Sequence, residues 1–260
     1  VLDPETRPSL IVRLRDPGDQ SARLPFLVMP FVACHSLQQR LDADGRLPME
    51  ECLRIGLQVS SALAAAHKQG LVHRDVKPAN SLLERGTERA MLTDFGLARA
   101  ADDVTVTRSG VIAGTPGYMS PEQARGEPID VRSDLFSLGT VLYTMASGVA
   151  PFRRETSYGI LRKITDHPHR PLRMAEPSIP AWYETLVDRL LSKKASDRFT
   201  DADQVQSLLE SCLVHVQQPG MNVPPELQPL RDEIDALSQR VSSPSEEVPF
   251  SVPEVEGESR

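Results

Sequence analysis

The sequence has 260 residues, 40% of them hydrophobic and 25% charged, with a formal net charge of −7. That balance suits a globular domain with room for a sizeable core and argues against a basic nucleic-acid-binding face. Three scattered cysteines, Cys34, Cys52 and Cys212, give neither a disulfide framework nor a metal-ligand spacing, and no run reaches the ~20 apolar residues of a membrane span.

Residues 1–25 are polar and broken by Pro4, Pro8, Pro17 and Pro25. Within them Leu10, Ile11, Val12 and Leu14 suggest one short strand, and Phe26 to Val32 suggests another. The turn residues Asp16-Pro17-Gly18-Asp19 between the two predict a hairpin. From Pro48 onward, Cys52, Ile55, Val59, Ala62, Leu63 and Ala66 recur at three- and four-residue spacing and predict a long helix, with Gly70 as its stop. Leu71-Val72 leads into a polar loop over 73–80. Two short apolar runs follow, Leu82-Leu83 and Ala90 to Leu92, on either side of a turn. From 94 to 122 the chain is rich in glycine, threonine and serine without a period, and so long a loop in a compact domain is usually functional. Asp134 to Ala146 is strongly apolar and closed by Gly148, which predicts a buried helix. Helical patterns return at about 181–193 and 201–214. From Gln217 the composition is that of a disordered tail. Within it Leu227, Leu230, Ile234, Leu237 and Val241 form an apolar stripe that predicts a short amphipathic helix over 225–241. The cysteines read as reduced, buried thiols.

The polar loop reads His73-Arg74-Asp75-Val76-Lys77-Pro78-Ala79-Asn80, and Asp94-Phe95-Gly96 follows. Two carboxylates and a carboxamide are hard oxygen donors that suit Mg²⁺ better than zinc. A lysine among them can neutralise phosphate charge, and an aspartate not committed to metal can accept a hydroxyl proton. Metal, cation and base in one place describe phosphoryl transfer to an alcohol.

Further along stand Gly114-Thr115-Pro116-Gly117-Tyr118-Met119-Ser120-Pro121-Glu122, then Ser133-Asp134-Leu135-Phe136-Ser137-Leu138-Gly139, then Asp197-Arg198-Phe199. With the two loop motifs, and in this order, the set resembles the eukaryotic-type (Hanks-type) serine/threonine protein kinases, in the style of their bacterial members, from about Phe26 to Leu213. The resemblance implies an α+β, protein-kinase-like fold: mainly the helical C-terminal lobe, with a remnant of the N-lobe sheet and hinge. It divides the chain into N-lobe strands and hinge at 1–32, the C-lobe at 33–215, and a mostly disordered tail at 216–260.

The resemblance also implies roles. Asp75 is expected to be the base on the substrate hydroxyl, Lys77 to steady the γ-phosphate, and Asn80 and Asp94 to hold Mg²⁺ or Mn²⁺. Met29, Pro30 and Val32 would line the adenine hinge, and Leu82 would floor the adenine pocket. Thr115 would contact the substrate. Arg74 would pair with phosphate on the 94–122 loop, where Thr105, Thr107 and Ser109 are expected autophosphorylation sites. His73, Phe95, Gly96, Glu122, Asp134 and Arg198 are expected to be structural, with Glu122 pairing Arg198 and Asp134 holding the catalytic loop from below. Ser81 stands where the family usually has an apolar residue, and Ser120 replaces the usual alanine. Lys77 and Gly114-Thr115-Pro116 point to serine/threonine rather than tyrosine acceptors.

The implied function is transfer of the ATP γ-phosphate to Ser/Thr hydroxyls of proteins. The implied partners are protein substrates and a second copy during activation-loop autophosphorylation, with no nucleic acid. The expected location is the cytoplasm, with tethering to the inner membrane in a longer parent chain. The family's glycine-rich loop, strand lysine and paired glutamate have no counterpart before Ser9. The chain is therefore expected to be a kinase fragment with little activity alone; the alternative is a truncated pseudokinase or scaffold.

Overall fold

The computed structural model describes residues 11–12, 26–27, 32–95, 116–218 and 220–228. The N-terminal hairpin is present as β1 (Ile11–Val12) and β2 (Phe26–Leu27), paired antiparallel with Ile11 opposite Leu27. Next come β3 (Cys34–Ser36) and helix α1 (Leu37–Asp44). The Ser36 hydroxyl accepts from the Gln39 amide, and the Gln39 side chain accepts from the Ser36 amide. This capping box satisfies two donors that the first helical turn would otherwise leave unpaired. Only Leu37 and Leu41 are buried on α1, too few apolar positions to announce a helix in the sequence.

Helix α2 (Met49–His67) buries Cys52, Ile55, Val59, Ala62, Leu63 and Ala66, the face that the periodicity marks. The two apolar runs after it are strands β4 (Ser81–Glu84) and β5 (Ala90–Leu92). They pair antiparallel with each other, and β4 also pairs β3, giving a sheet of order β3-β4-β5. Helices α3 (Pro121–Arg125), α4 (Val131–Ser147), α5 (Ser157–Asp166), α6 (Leu172–Ala175), α7 (Ala181–Leu190) and α8 (Ala202–Gln217) complete the fold. On α5 only Ile164 is buried, so its pattern too is nearly silent.

Helix α4 is the centre of the core. Every residue from Ser133 to Ala146 is buried, and Gly148 ends the helix with a left-handed φ of 74°. Helix α2 packs on both α4 and α8, and α7 packs on α4. The contacts are close. A Cβ added at Gly139 would lie 2.6 Å from the Leu190 Cβ, and one at Gly56 would lie 2.7 Å from the Leu142 Cδ2. The buried serine and threonine hydroxyls of α4 all have partners: Ser133 donates to Glu122, Ser137 to the Tyr118 carbonyl, Thr140 to Phe136 and Thr144 to Thr140. A buried polar group costs stability unless it is paired, so these bonds are what let serine and threonine lie inside.

Cys52 and Cys212 are fully buried and Cys34 half-buried, all as free thiols. Burial pushes the first two thiols up to about 12, which makes them inert. After α8 the chain turns back. The His215 ring donates to the Met221 carbonyl, and a 3₁₀ turn at Pro225–Leu227 packs on α7 with Leu227 fully buried. Of the expected helix over 225–241, that turn is described, and the residues from 229 onward lie outside the described ones. Among the described residues no helix is long and apolar enough to cross a membrane.

Candidate active site

Strands β4 and β5 explain how the two loop motifs meet. Ser81 stands opposite Leu92, so the residues just before β4 and just after β5 lie side by side. Asn80 precedes the first strand, and Thr93 and Asp94 follow the second. The Thr93 amide and hydroxyl both donate to the Asn80 carbonyl, at 2.9 and 3.1 Å. A hairpin thus turns a separation of fourteen residues into adjacency.

Pro78 opens a 3₁₀ turn over Pro78–Asn80, where its fixed φ and missing amide are no loss. The turn aims Asn80 back at Asp75. Asn80 Nδ2 donates to both the Asp75 carbonyl and Asp75 Oδ2, each at 2.9 Å. Lys77 Nζ donates to the same Oδ2 at 2.7 Å. Two donors therefore converge on one carboxylate oxygen and leave Oδ1 free of both. The Asp75 side chain is 42% exposed, accessible to a substrate. Ser81 is fully buried, and its hydroxyl donates to the Lys77 carbonyl at 3.2 Å, which accounts for a polar residue at an apolar position.

The backbone beneath this group is held by buried side chains. Arg74 has φ 68° and Asp94 φ 63°, left-handed values that cost roughly 1–2 kcal/mol for a residue with a Cβ and persist only where neighbours impose them. Asp134, fully buried on α4, accepts from the Arg74 amide at 2.7 Å and the His73 amide at 2.8 Å. It also accepts from His67 Nε2, at 2.8 Å. His73 is itself fully buried. Its Nδ1 accepts from the Asp75 amide, which places the ring proton on Nε2, and that proton goes to the Thr93 carbonyl at 2.8 Å. The ring of Phe95 packs on His73 with centroids 4.6 Å apart. His73 thereby links the two motif loops.

The segment ahead of α3 is fixed by one buried ion pair. Arg198 reaches both Glu122 oxygens, at 2.7 and 2.9 Å, and also donates to the Arg132, Ser192 and Lys193 carbonyls. Burial pushes the Glu122 carboxyl up, but the Arg198 guanidinium and the Ser133 hydroxyl outweigh it and hold the group down at about 2.

Of the remaining expected residues, Val32 and Leu82 are half-buried, the latter on β4 between Ser36 and Met91. Arg74 is half-buried in the 73–80 loop. Met29, Pro30, Gly96, Thr105, Thr107, Ser109 and Thr115 lie outside the described residues. Two residues that sequence reasoning passed over belong to the site's support. His67 could have been noticed as a histidine in the last turn of a helix, where the dipole favours it. Gln123 carried a plainer mark, the capping-box pattern Ser120-Pro121-Glu122-Gln123.

Among the described residues no group of three or more His, Cys, Asp and Glu could hold a metal. The donor set nonetheless fits Mg²⁺, which keeps several waters and needs one or two protein oxygens beside phosphate. Asn80, whose Nδ2 is committed to Asp75, has its amide oxygen to offer, and Asp94 is exposed.

A family model described as protein kinase domain matches residues 5–213. The probable serine/threonine-protein kinase PknB of Bifidobacterium longum is 35% identical over 208 residues, covering 76% of this chain and 30% of that protein. PknB of Mycobacterium leprae is 35% identical over 214 residues, 80% of this chain and 34% of the relative. PknL of Mycobacterium tuberculosis is 34% identical over 214 residues, 82% and 53%. The chain thus spans about a third to a half of the length of these relatives. Among solved structures, Rad53 1-466 in complex with AMP-PNP is similar at a TM-score of 0.58 and 25% identity, over 69% of this chain and 45% of that one.

Proposed function

The chain belongs to the protein kinase domain family, and we propose that it supplies the catalytic lobe of an ATP-dependent serine/threonine protein kinase. The observation that carries this reading is the convergence of Lys77 Nζ and Asn80 Nδ2 on Asp75 Oδ2, above a backbone held by Asp134 and His73. In this reading Asp75 Oδ1 takes the proton of a Ser/Thr hydroxyl as its oxygen attacks the γ-phosphorus, and the bond to the β-phosphate oxygen breaks to release ADP. Lys77 Nζ already reaches the carboxylate, and its ammonium would offset charge developing on the transferred group. Asn80 and Asp94 would hold the Mg²⁺ that neutralises phosphate charge when bound. The hinge residues Met29, Pro30 and Val32 would receive adenine above Leu82, and Thr115 the acceptor segment. Arg74 would read phosphate on Thr105, Thr107 or Ser109, placed there by a second copy. Such chemistry draws on cytoplasmic ATP.

The test is made on the complete protein from its source. Incubated with Mg²⁺ and γ-labelled ATP, it should label Ser/Thr peptides and its own 94–122 loop. Asp75→Ala should lower turnover by at least about 10²-fold, the lower range for a lost general base. Undiminished turnover in that variant would remove Asp75 from its role. Nucleotide binding without transfer by the wild type would favour a scaffold.

A further inference from the structure

Gln123 sits one residue past the Glu122–Arg198 pair, where the proposed substrate-binding segment ends in α3. Both ends of its side-chain amide are used. Oε1 accepts from the Ser120 amide at 2.9 Å, while the Gln123 amide donates to the Ser120 hydroxyl at 3.2 Å. Nε2 donates in the other direction, to the Arg74 carbonyl at 2.8 Å. The two bonds fix the amide's orientation, because only the nitrogen can serve the Arg74 carbonyl and only the oxygen can serve the Ser120 N–H.

The Arg74 carbonyl belongs to the peptide unit that carries Asp75. The same unit's N–H, that of Asp75, is held by His73 Nδ1. The preceding peptide's N–H, that of Arg74, is held by Asp134. Three side chains from three parts of the chain thus fix two successive peptide planes around a left-handed residue. His73 is local to the loop and Asp134 comes from the core helix, whereas Gln123 comes from the end of the proposed substrate-binding segment.

We propose that Gln123 is a positioning residue for Asp75. It couples the seating of the substrate-binding segment to the orientation of the Arg74–Asp75 peptide, so that the base is aligned only when α3 is in place. Ser120 fits the same device: its hydroxyl completes the cap that starts α3 and presents Gln123. The inference rests on the reading of Asp75 as the base, but its structural half does not.

One atom separates the wild type from the decisive variant. Gln123→Glu keeps an acceptor for the Ser120 amide but sets an oxygen against the Arg74 carbonyl. Gln123→Met removes the donor without adding charge, and Ser120→Ala weakens the cap and leaves the donor. In the complete protein both Gln123 variants should lower kcat by about 10- to 100-fold, the scale of a misplaced catalytic group, with KM for ATP within about twofold. In the same variants hydrogen exchange at the Arg74 and Asp75 amides should quicken, and Ser120→Ala, which weakens the cap but leaves the donor, should shift both readouts in the same direction by less. Unchanged exchange and kcat in Gln123→Met would overturn the proposal, as would a loss confined to Gln123→Glu, which would implicate its charge. If the wild type transfers no phosphate, the kinase reading fails, and the exchange measurement still decides whether Gln123 holds the loop.

Discussion

At the scale of single residues, the lobe relies on one buried ion pair, Glu122 with Arg198. Breaking such a pair is costly, because the survivor is stranded in a poor solvent for charge. The Glu122 carboxyl ionises at about 2 in the folded chain against an ordinary 4.5, so the folded state holds its proton more weakly than the unfolded state does. The stability this group contributes is therefore fully present above pH about 4.5 and is lost as pH falls toward about 2. Thermal unfolding of the wild type and of Glu122→Gln, followed from neutral pH down to pH about 3, should show the wild type falling more steeply in the acid range. Gln is expected to start from a lower Tm at neutral pH, since it cannot satisfy Arg198 in two places as a charge. Parallel curves would mean that the pair is not what makes the lobe acid-sensitive. Ser81 carries a smaller lesson of the same kind: a hydroxyl replaces an apolar side chain in the core, and a single bond to the Lys77 carbonyl makes it tolerable.

At the scale of elements, the helices meet through glycine. Alanine is the better helix former by about 1 kcal/mol, so glycine inside α4 needs a reason. Space supplies it: the Leu190 Cβ lies 2.6 Å from where an alanine methyl would stand at Gly139. A Cβ cannot rotate away, so Gly139→Ala forces α4 and α7 apart and should cost about 1–3 kcal/mol in chemical unfolding. At Gly56 the obstacle is Leu142 Cδ2, the tip of a side chain that can change rotamer. Gly56→Ala should therefore lie much closer to neutral. Equal losses at the two sites would show that α4 and α7 adjust as easily as a leucine tip. The elements also differed in how openly the sequence announced them. Helices α2 and α4 bury long apolar faces and were expected, whereas α1 and α5 bury two residues and one and left almost no period to detect. Their starts are marked by the capping residues Ser36 and Thr156 instead.

At the scale of the whole molecule, the lobe extends past the match to its family, which ends at residue 213. A boundary at 215 follows from composition, because Pro-rich, polar sequence reads as tail. The described chain nonetheless turns back and buries Leu227 against α7, and we place the lobe's end after Gln228. Leu227→Ala should then cost about 2–5 kcal/mol, as for a core leucine. A change within about 0.5 kcal/mol, as for a surface position, would return the boundary to 215. By itself the sequence pointed to the proposed chemistry and determined the main helices. Asp75, Lys77, Asn80 and Asp94 lie in two short segments whose residue types suggest the task proposed for them, and a 3.6-residue period reports which face is buried. Only the tertiary structure decided what holds those residues in place. The supports reach across the chain, from Asp134 to the His73 and Arg74 amides, from Gln123 to the Arg74 carbonyl, and from His73 to the Thr93 carbonyl. Periodicity reports burial but not partnership, and a hydrogen bond depends on a few tenths of an ångström between atoms that only the packed helices and the β4–β5 hairpin bring together.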